Sequence, residues 1–220
     1  MCEVRVYIAE TEALNDEQIF QRLYEKASNK RQKKIDRLTN RQDKILSLAA
    51  ECLLAFATKE FGLENILIKE DENGKPYIED ADVCFNLSHS GKRVMCAIGR
   101  HEVGCDVQKI KSADIKLAER FFAKSEYESI MKEKEDDRQK LFFRFWTLKE
   151  SFAKAVGLGL KMPFNSFCIE LLNGVRVLQN INCKNYYFRE YDVQDGYRYA
   201  VCSAAETIGE AQFVDITKEL

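Results

Sequence analysis

Trp146-Thr147-Leu148-Lys149-Glu150-Ser151-Phe152-Ala153-Lys154 is the stretch on which the reading of this chain turns. It sits inside an apolar run from Phe142 to Val156 that stops at Gly157, which predicts a long helix with a glycine cap. Trp146, Leu148, Phe152 and Ala153 make that helix largely apolar, so it is expected to be mostly buried. Glu150 and Lys154 are four apart and therefore neighbours, while Lys149 lies at a different angle. On an exposed helix such a pair contributes only about 0.3–0.5 kcal/mol. On a buried one the carboxylate needs a partner, and a metal ion would serve.

Working outward from this helix, Gly104-Cys105-Asp106-Val107-Gln108 reads as a short strand. Asp106 and Gln108 are two apart and share a face, so a carboxylate and an amide oxygen can reach one hard cation. Their plainer reading is a polar pair at a strand end. In the block Asn86-Leu87-Ser88-His89-Ser90-Gly91, Ser88 to Gly91 reads as a tight loop just after an apolar strand, offering hydroxyls, backbone N–H groups and an imidazole to a phosphate oxygen. The plainer reading of His89 is a hydrogen-bonded structural histidine. There is no G-x-S-x-G elbow, and the other histidine, His101, lies in a polar turn, so a serine hydrolase is not indicated. Lys30, Arg31, Lys33 and Lys34 form a basic run of the kind that usually lines a solvated face. Lys75, between Gly74 and Pro76, is a lysine fixed in a turn. Taken together these groups are what is needed to hold magnesium and a polyphosphate in one cleft.

The bulk composition narrows the class. The chain has 220 residues, enough for one large domain or two of about 100 residues each. Lys+Arg number 34 against 36 Asp+Glu, and a net charge of -2 gives no global reason to bind nucleic acid or a membrane. The eight cysteines, Cys2, Cys52, Cys84, Cys96, Cys105, Cys168, Cys183 and Cys202, include no CxxC pair, and several sit in apolar runs. They read as small core residues in a reducing compartment rather than disulfide partners or zinc ligands. No apolar run reaches the roughly 20 residues of a membrane helix, and the N-terminus lacks a secretory pattern, so a cytoplasmic protein is expected.

Strand patterning is expected at Val4–Ala9, Ile66–Ile68, Tyr77–Ile78, Val83–Asn86, Val94–Ile98 and Gly104–Val107, and helices at 15–27, near Ile35 and Leu38, and from about Arg41 to Phe61. Further helices are expected at Leu117–Phe122 and from Ser125, where Glu126 and Glu128 give a capping-box form. The last quarter reads as a meander with turns at Asn173-Gly174 and Asp195-Gly196. Each half thus combines helices with a small sheet, an α+β arrangement divided as 1–103 and 104–220.

In this order the basic segment 30–34, Gly74-Lys75-Pro76, the Asn86–Ser90 block, Gly104-Cys105-Asp106, Arg120–Tyr127 and the W-x-x-K-E-x-x-x-K run resemble, over nearly the whole length, the 4'-phosphopantetheinyl transferases of the surfactin-synthetase-activating type. The resemblance implies two similar pseudo-symmetric α+β halves with coenzyme A at their interface. It implies transfer of the 4'-phosphopantetheine arm to a serine of an acyl or peptidyl carrier protein of fatty-acid or peptide synthesis, with release of adenosine 3',5'-bisphosphate. By motif, Asp106 and Glu150 are magnesium ligands, Lys154 contacts the pyrophosphate and assists proton transfer, and Lys75, Ser88 and His89 bind the nucleotide and its phosphates. Lys30 and Lys33 belong at the 3'-phosphate end. Gln108 stands where many members carry a third acidic ligand, and its carbonyl oxygen or a water fills that place. Leu46 stands where an arginine is expected on the long helix. The base for the serine proton is left between Glu150 and a water at the magnesium. A monomer is expected, since two halves already complete a cleft. A metal-dependent nucleotide phosphohydrolase and a non-catalytic coenzyme A or carrier-binding module are the alternatives.

Overall fold

The computed structural model describes residues 3–218. Along the chain, strand β1 (Val4–Glu10) leads to helices α1 (Glu17–Lys26), α2 (Asn29–Asp36) and α3 (Arg41–Glu60). A small hairpin follows, β2 (Ile68–Glu70) and β3 (Pro76–Ile78), then β4 (Cys84–Ser90), β5 (Arg93–Gly99) and β6 (Val103–Lys109). Three helices come next: α4 (Lys116–Phe121), α5 (Lys124–Lys132) and α6 (Glu135–Val156). The chain closes with β7 (Cys168–Glu170), β8 (Arg176–Leu178), β9 (Tyr187–Tyr191), β10 (Tyr197–Ser203) and β11 (Ile208–Phe213).

Local chemistry explains the helix starts. The side chain of Asp16 accepts from the N–H groups of Gln18 and Ile19 ahead of α1, and Asn40 does the same for Gln42 and Asp43 ahead of α3. Glu126 supplies the N3 half of a capping box on α5, its Oε2 accepting from Ala123 N at 2.8 Å, so that helix begins one residue before the expected Ser125. Helix α6 ends at Gly157, which takes the left-handed conformation at φ +81° and donates its N–H to Ala153 O. The helix starts at Glu135 rather than Phe142, because its first turns are polar and carry no apolar period.

Two sheets form the frame. One has the order β11-β1-β5-β4, and the other the order β6-β10-β9. Every pairing is antiparallel except β1 with β11, which is parallel. Val4, Val6, Ile8, Met95 and Ala97 of the first sheet pack against Val103, Cys105, Val107, Tyr199 and Val201 of the second in a dry layer. Helix α3 covers the far side of the first sheet, burying Leu48, Leu53 and Phe56, and α6 covers the far side of the second with Leu148, Phe152 and Ala155. Each sheet thus carries its own helical layer, as expected for an α+β chain with two similar halves.

The terminal strand β11 has no clean alternation in Ile208-Gly-Glu-Ala-Gln-Phe213 and was not expected. It crosses back to the first sheet, and Val214 and Ile216 join the core of that half. A division at 103/104 therefore stands as a proposal for the two sheet-and-helix layers, with the last strand lying on the first.

The two sheets also meet edge to edge, and here one expectation changes. Ser88, His89 and Ser90 are not a loop: they belong to β4, and the turn comes at Gly91. Three alternating side chains of β4 serve as acceptors for β6. Asn86 Oδ1 accepts from Cys105 N at 3.0 Å, Ser88 Oγ from Val107 N at 3.2 Å and Ser90 Oγ from Lys109 N at 3.1 Å. The period of two on both strands makes this possible. It satisfies an edge that would otherwise present unpaired donors.

The seven cysteines among the described residues are free thiols, and Cys2 lies outside those residues. Cys96, Cys105 and Cys202 are buried, in keeping with core packing, and burial pushes the Cys105 thiol up to about 12. Among the described residues no helix is long and apolar enough to cross a membrane.

Candidate active site

A cavity of about 430 Å³ opens where the β4–β6 seam meets α6. Ser88, His89, Asp106, Gln108, Lys111, Glu150 and Lys154 line its polar side, and Leu117, Phe142, Phe143 and Trp146 its apolar wall. Three separate segments therefore converge on one space, as expected from the sequence blocks.

Alternation along β6 explains the placement of its polar groups. Cys105 and Val107 face the dry layer between the sheets, so Asp106 and Gln108 face α6. Asp106 is buried at 1% exposure. Its Oδ1 accepts from Lys154 Nζ at 2.5 Å and from Ser88 Oγ at 2.8 Å, and its Oδ2 accepts from Gln108 Nε2 at 3.1 Å. Lys154 Nζ also donates to Ser88 Oγ at 3.1 Å and to Cys105 O at 3.2 Å. Burial pulls the Lys154 ammonium down, but the charge and hydrogen bond of Asp106, joined by the Glu150 charge and the Cys105 thiol, together outweigh it and the pKa sits above the ordinary lysine value.

Glu150 contrasts with Asp106. It is half-buried beside the cavity and accepts no hydrogen bond from the described residues. Burial, and then the charge of Asp106, raise its pKa above the ordinary carboxylate value, with Lys154 pulling the other way. Two carboxylates and an amide side chain line one cavity, one carboxylate lacking a donor, and their oxygens are of the hard type that suits magnesium with water filling the remaining positions. Among the described residues no group of three or more His, Cys, Asp or Glu side chains is arranged to hold a metal, so such a site would rest on Asp106, Glu150 and the Gln108 oxygen.

His89 is exposed at the cavity rim. Its pKa lies below the ordinary value, first through partial desolvation and then through the Lys154 charge, with Lys34 adding to the effect from α2. The expected basic residues divide. Lys30 and Lys33 are exposed on α2 and do not line the cavity, and Lys30 stands 3.9 Å from Glu70. Lys75 does not line it either: its ammonium donates to Ala155 O at 2.8 Å and Val103 O at 3.3 Å. Leu46 is buried in the first core, and Arg41 stacks over the Phe20 ring at 3.9 Å, so neither reaches the cavity.

Sequence reasoning missed Lys111 and the apolar wall of Leu117, Phe142 and Phe143. Phe142 and Phe143 carried a signal, being the first apolar residues of the expected helix, but nothing marked Lys111. It also missed what Lys149 does. That ammonium is fully buried and donates to Glu126 Oε1 at 2.7 Å and Phe167 O at 3.0 Å, below the Phe167 ring. Glu126 Oε1 also accepts from Ile169 N at 2.6 Å. Lys149 thus joins α6 to α5 and β7, away from the cavity.

A family model described as the 4'-phosphopantetheinyl transferase superfamily matches residues 102–202, which include Asp106, Glu150 and Lys154. The 4'-phosphopantetheinyl transferase gsp of Aneurinibacillus migulanus is 35% identical over 197 residues, covering 88% of this chain and 83% of that protein. The 4'-phosphopantetheinyl transferase Sfp of Bacillus subtilis (strain 168) is 33% identical over 183 residues, covering 80% of this chain and 82% of that protein. A holo-[acyl-carrier-protein] synthase structure from Thermotoga maritima overlays 46% of this chain and 61% of its own at a TM-score of 0.40 and 24% identity, too partial to carry an argument.

Proposed function

Because this chain belongs to the 4'-phosphopantetheinyl transferases of the Sfp type, enzymes that place phosphopantetheine on carrier proteins, we propose that it moves the 4'-phosphopantetheine arm of coenzyme A onto a carrier serine with magnesium and releases adenosine 3',5'-bisphosphate. The observation that carries this reading is the meeting of Asp106, Glu150, Lys154 and Ser88 on one cavity at the seam of the two sheets.

In this reading Asp106, Glu150 and the Gln108 oxygen hold the magnesium. When bound, that ion neutralises charge on the pyrophosphate as the leaving oxygen gains it. Lys154 turns its ammonium from Asp106 toward the same phosphates and supplies a fixed positive charge there. Asp106 is engaged by three donors, whereas Glu150 accepts none from the described residues, so Glu150 is the group on this chain that can take the serine proton. His89 at the rim meets the nucleotide phosphates as a neutral donor, and Ser88 keeps Asp106 oriented. Lys30 and Lys33, exposed on α2, form an outer basic ring toward the 3'-phosphate.

The carrier docks on α4 and α5. Leu117, Phe121 and Met131 are exposed there, beside exposed Arg120 and Lys124, and Leu117 also lines the cavity. Carrier helices are commonly acidic, and an apolar and basic patch complements them. The acting form is a cytoplasmic monomer.

The test is direct. The protein is incubated with coenzyme A, magnesium and a panel of apo-carriers, and each carrier is weighed. We expect one carrier class to gain the mass of a phosphopantetheine arm, and expect the gain to vanish with Asp106→Ala while circular dichroism stays native. Hydrolysis of coenzyme A without any carrier, or full turnover by Asp106→Ala, would contradict the reading.

A further inference from the structure

We infer that Lys75 is a positioning residue: it ties the end of α6 to the start of β6 and so sets Glu150 and Lys154 against Asp106, rather than binding phosphate. The inference rests on the proposed site at Asp106, Glu150 and Lys154. The contacts of Lys75 carry it.

The backbone of Lys75 is anchored. Asp71 Oδ1 accepts from Asn73 N at 2.8 Å and from Lys75 N at 2.9 Å, and Gly74 turns the chain at φ +82°. The side chain then crosses to the other half of the molecule. Its ammonium takes Ala155 O at 2.8 Å, one of the last carbonyls of α6 that the helix cannot satisfy itself, and Val103 O at 3.3 Å, in the first residue of β6. A cation at that helix end is also favoured by the helix dipole. The stem packs on the helix cap, since a Cβ on Gly157 would lie 2.9 Å from Lys75 Cδ.

The elements Lys75 joins are those that carry the site. Gly104, next to Val103, lets α6 rest directly on β6: a Cβ there would overlap Ser151 O and Ala155 N. Asp106 follows two residues later on the strand, and Lys154 immediately precedes Ala155 on the helix. The same hairpin makes a second contact beyond α6, where Lys161 Nζ donates to Asn73 Oδ1 at 2.7 Å. The hairpin thus holds both the end of α6, through Lys75, and the turn that follows it, through Asn73. Burial lowers the Lys75 pKa, as expected for an ammonium withdrawn from water onto carbonyls.

Two measurements test the inference. In Lys75→Met, kcat should fall about tenfold or more, as catalytic groups slip, while coenzyme A affinity by calorimetry stays within about twofold and its salt dependence is unchanged. Lys75→Arg, which can still reach a carbonyl, should recover part of the kcat. A phosphate ligand gives the opposite split, with weakened coenzyme A binding, a reduced salt slope and kcat retained at saturation, and that result would overturn the inference. The second measurement needs no variant. Native protein is treated with a small amine-acylating reagent, with and without coenzyme A, and digested for mass spectrometry. Lys75 should resist acylation in both states while exposed Lys30 and Lys33 react in its absence. Ready acylation of Lys75 that coenzyme A suppresses would overturn the inference even if Lys75→Met does not fold. Failure of the wild-type protein to bind coenzyme A at all would count against the proposed function instead.

Discussion

Helix α6 carries two lysine–carboxylate pairs of the same chemistry and opposite character. Lys149 meets Glu126 at 2.7 Å with 0% and 1% side-chain exposure, and Lys154 meets Asp106 at 2.5 Å with 27% and 2%. The first pair is closed. Glu126 accepts from Lys149, Ala123 N and Ile169 N, and Lys149 is shared between Glu126 and Phe167 O. Such a buried pair stands only because each remaining polar group finds a partner. The second pair borders a cavity, holds its ammonium on a hydroxyl and one carbonyl besides Asp106, and has Glu150 beside it with no donor among the described residues. A satisfied pair fixes helices to one another. A pair at the edge of open space has bonds it can exchange for a ligand's.

The largest expected effect lies at the closed pair. Lys149→Met leaves the Glu126 carboxylate buried without its cation, and should cost about 3–5 kcal/mol in urea unfolding. Adding Glu126→Leu should recover only part of that, because Ala123 N and Ile169 N lose their acceptor. Full recovery would mean those two bonds contribute little. At the open pair the effect should fall on activity. Lys154→Met strands the Asp106 carboxylate beside a cavity that can admit water, so it should cost less in urea unfolding than Lys149→Met, while transfer to carrier drops about 10²–10³-fold. Loss of fold in Lys154→Met with activity kept in Lys149→Met would reverse the comparison.

Glu150 sharpens the contrast further. Its folded pKa is raised above the unfolded value of about 4.3. The folded state therefore holds the proton more tightly, so the stability this group adds is present below that pH and is lost as pH rises through the raised value. In chelator at pH 7, Glu150→Gln should melt at a higher temperature than the wild type, and the difference should close by about pH 4. Transfer should fall in the same variant. A lower melting temperature at pH 7 would show that Glu150 has a stabilising partner after all. The smallest effect is expected from Gln108→Glu. It replaces the donor facing Asp106 Oδ2 by a third carboxylate, so thermal stability in chelator should drop by about 1 kcal/mol and magnesium should restore it.

What could be read from the sequence was local. The period of two placed Asp106 and Gln108 on one face, and the spacing of four placed Glu150 beside Lys154, and both reach the same cavity. The long helices were legible from apolar spacing and, for the second, from the glycine cap at Gly157. What failed depended on distant partners. Lys149 and Glu126 are 23 residues apart, and nothing local marks them as a pair. The turn around Lys75 was read correctly, but a turn does not reveal where a four-carbon side chain ends. The hydroxyls of Ser88 and Ser90 looked like loop chemistry because the strand that receives them, β6, lies 19 residues further on. Strand β11 lacked alternation and owes its place to β1, at the opposite end of the chain.

The most direct test of the account is to locate a divalent ion. Crystals grown with manganese in place of magnesium and with coenzyme A should show an anomalous peak between the carboxylates of Asp106 and Glu150, with Lys154 Nζ turned from Asp106 to a phosphate oxygen. An ion bound elsewhere, with the Lys154–Asp106 bond unbroken beside bound coenzyme A, would contradict it.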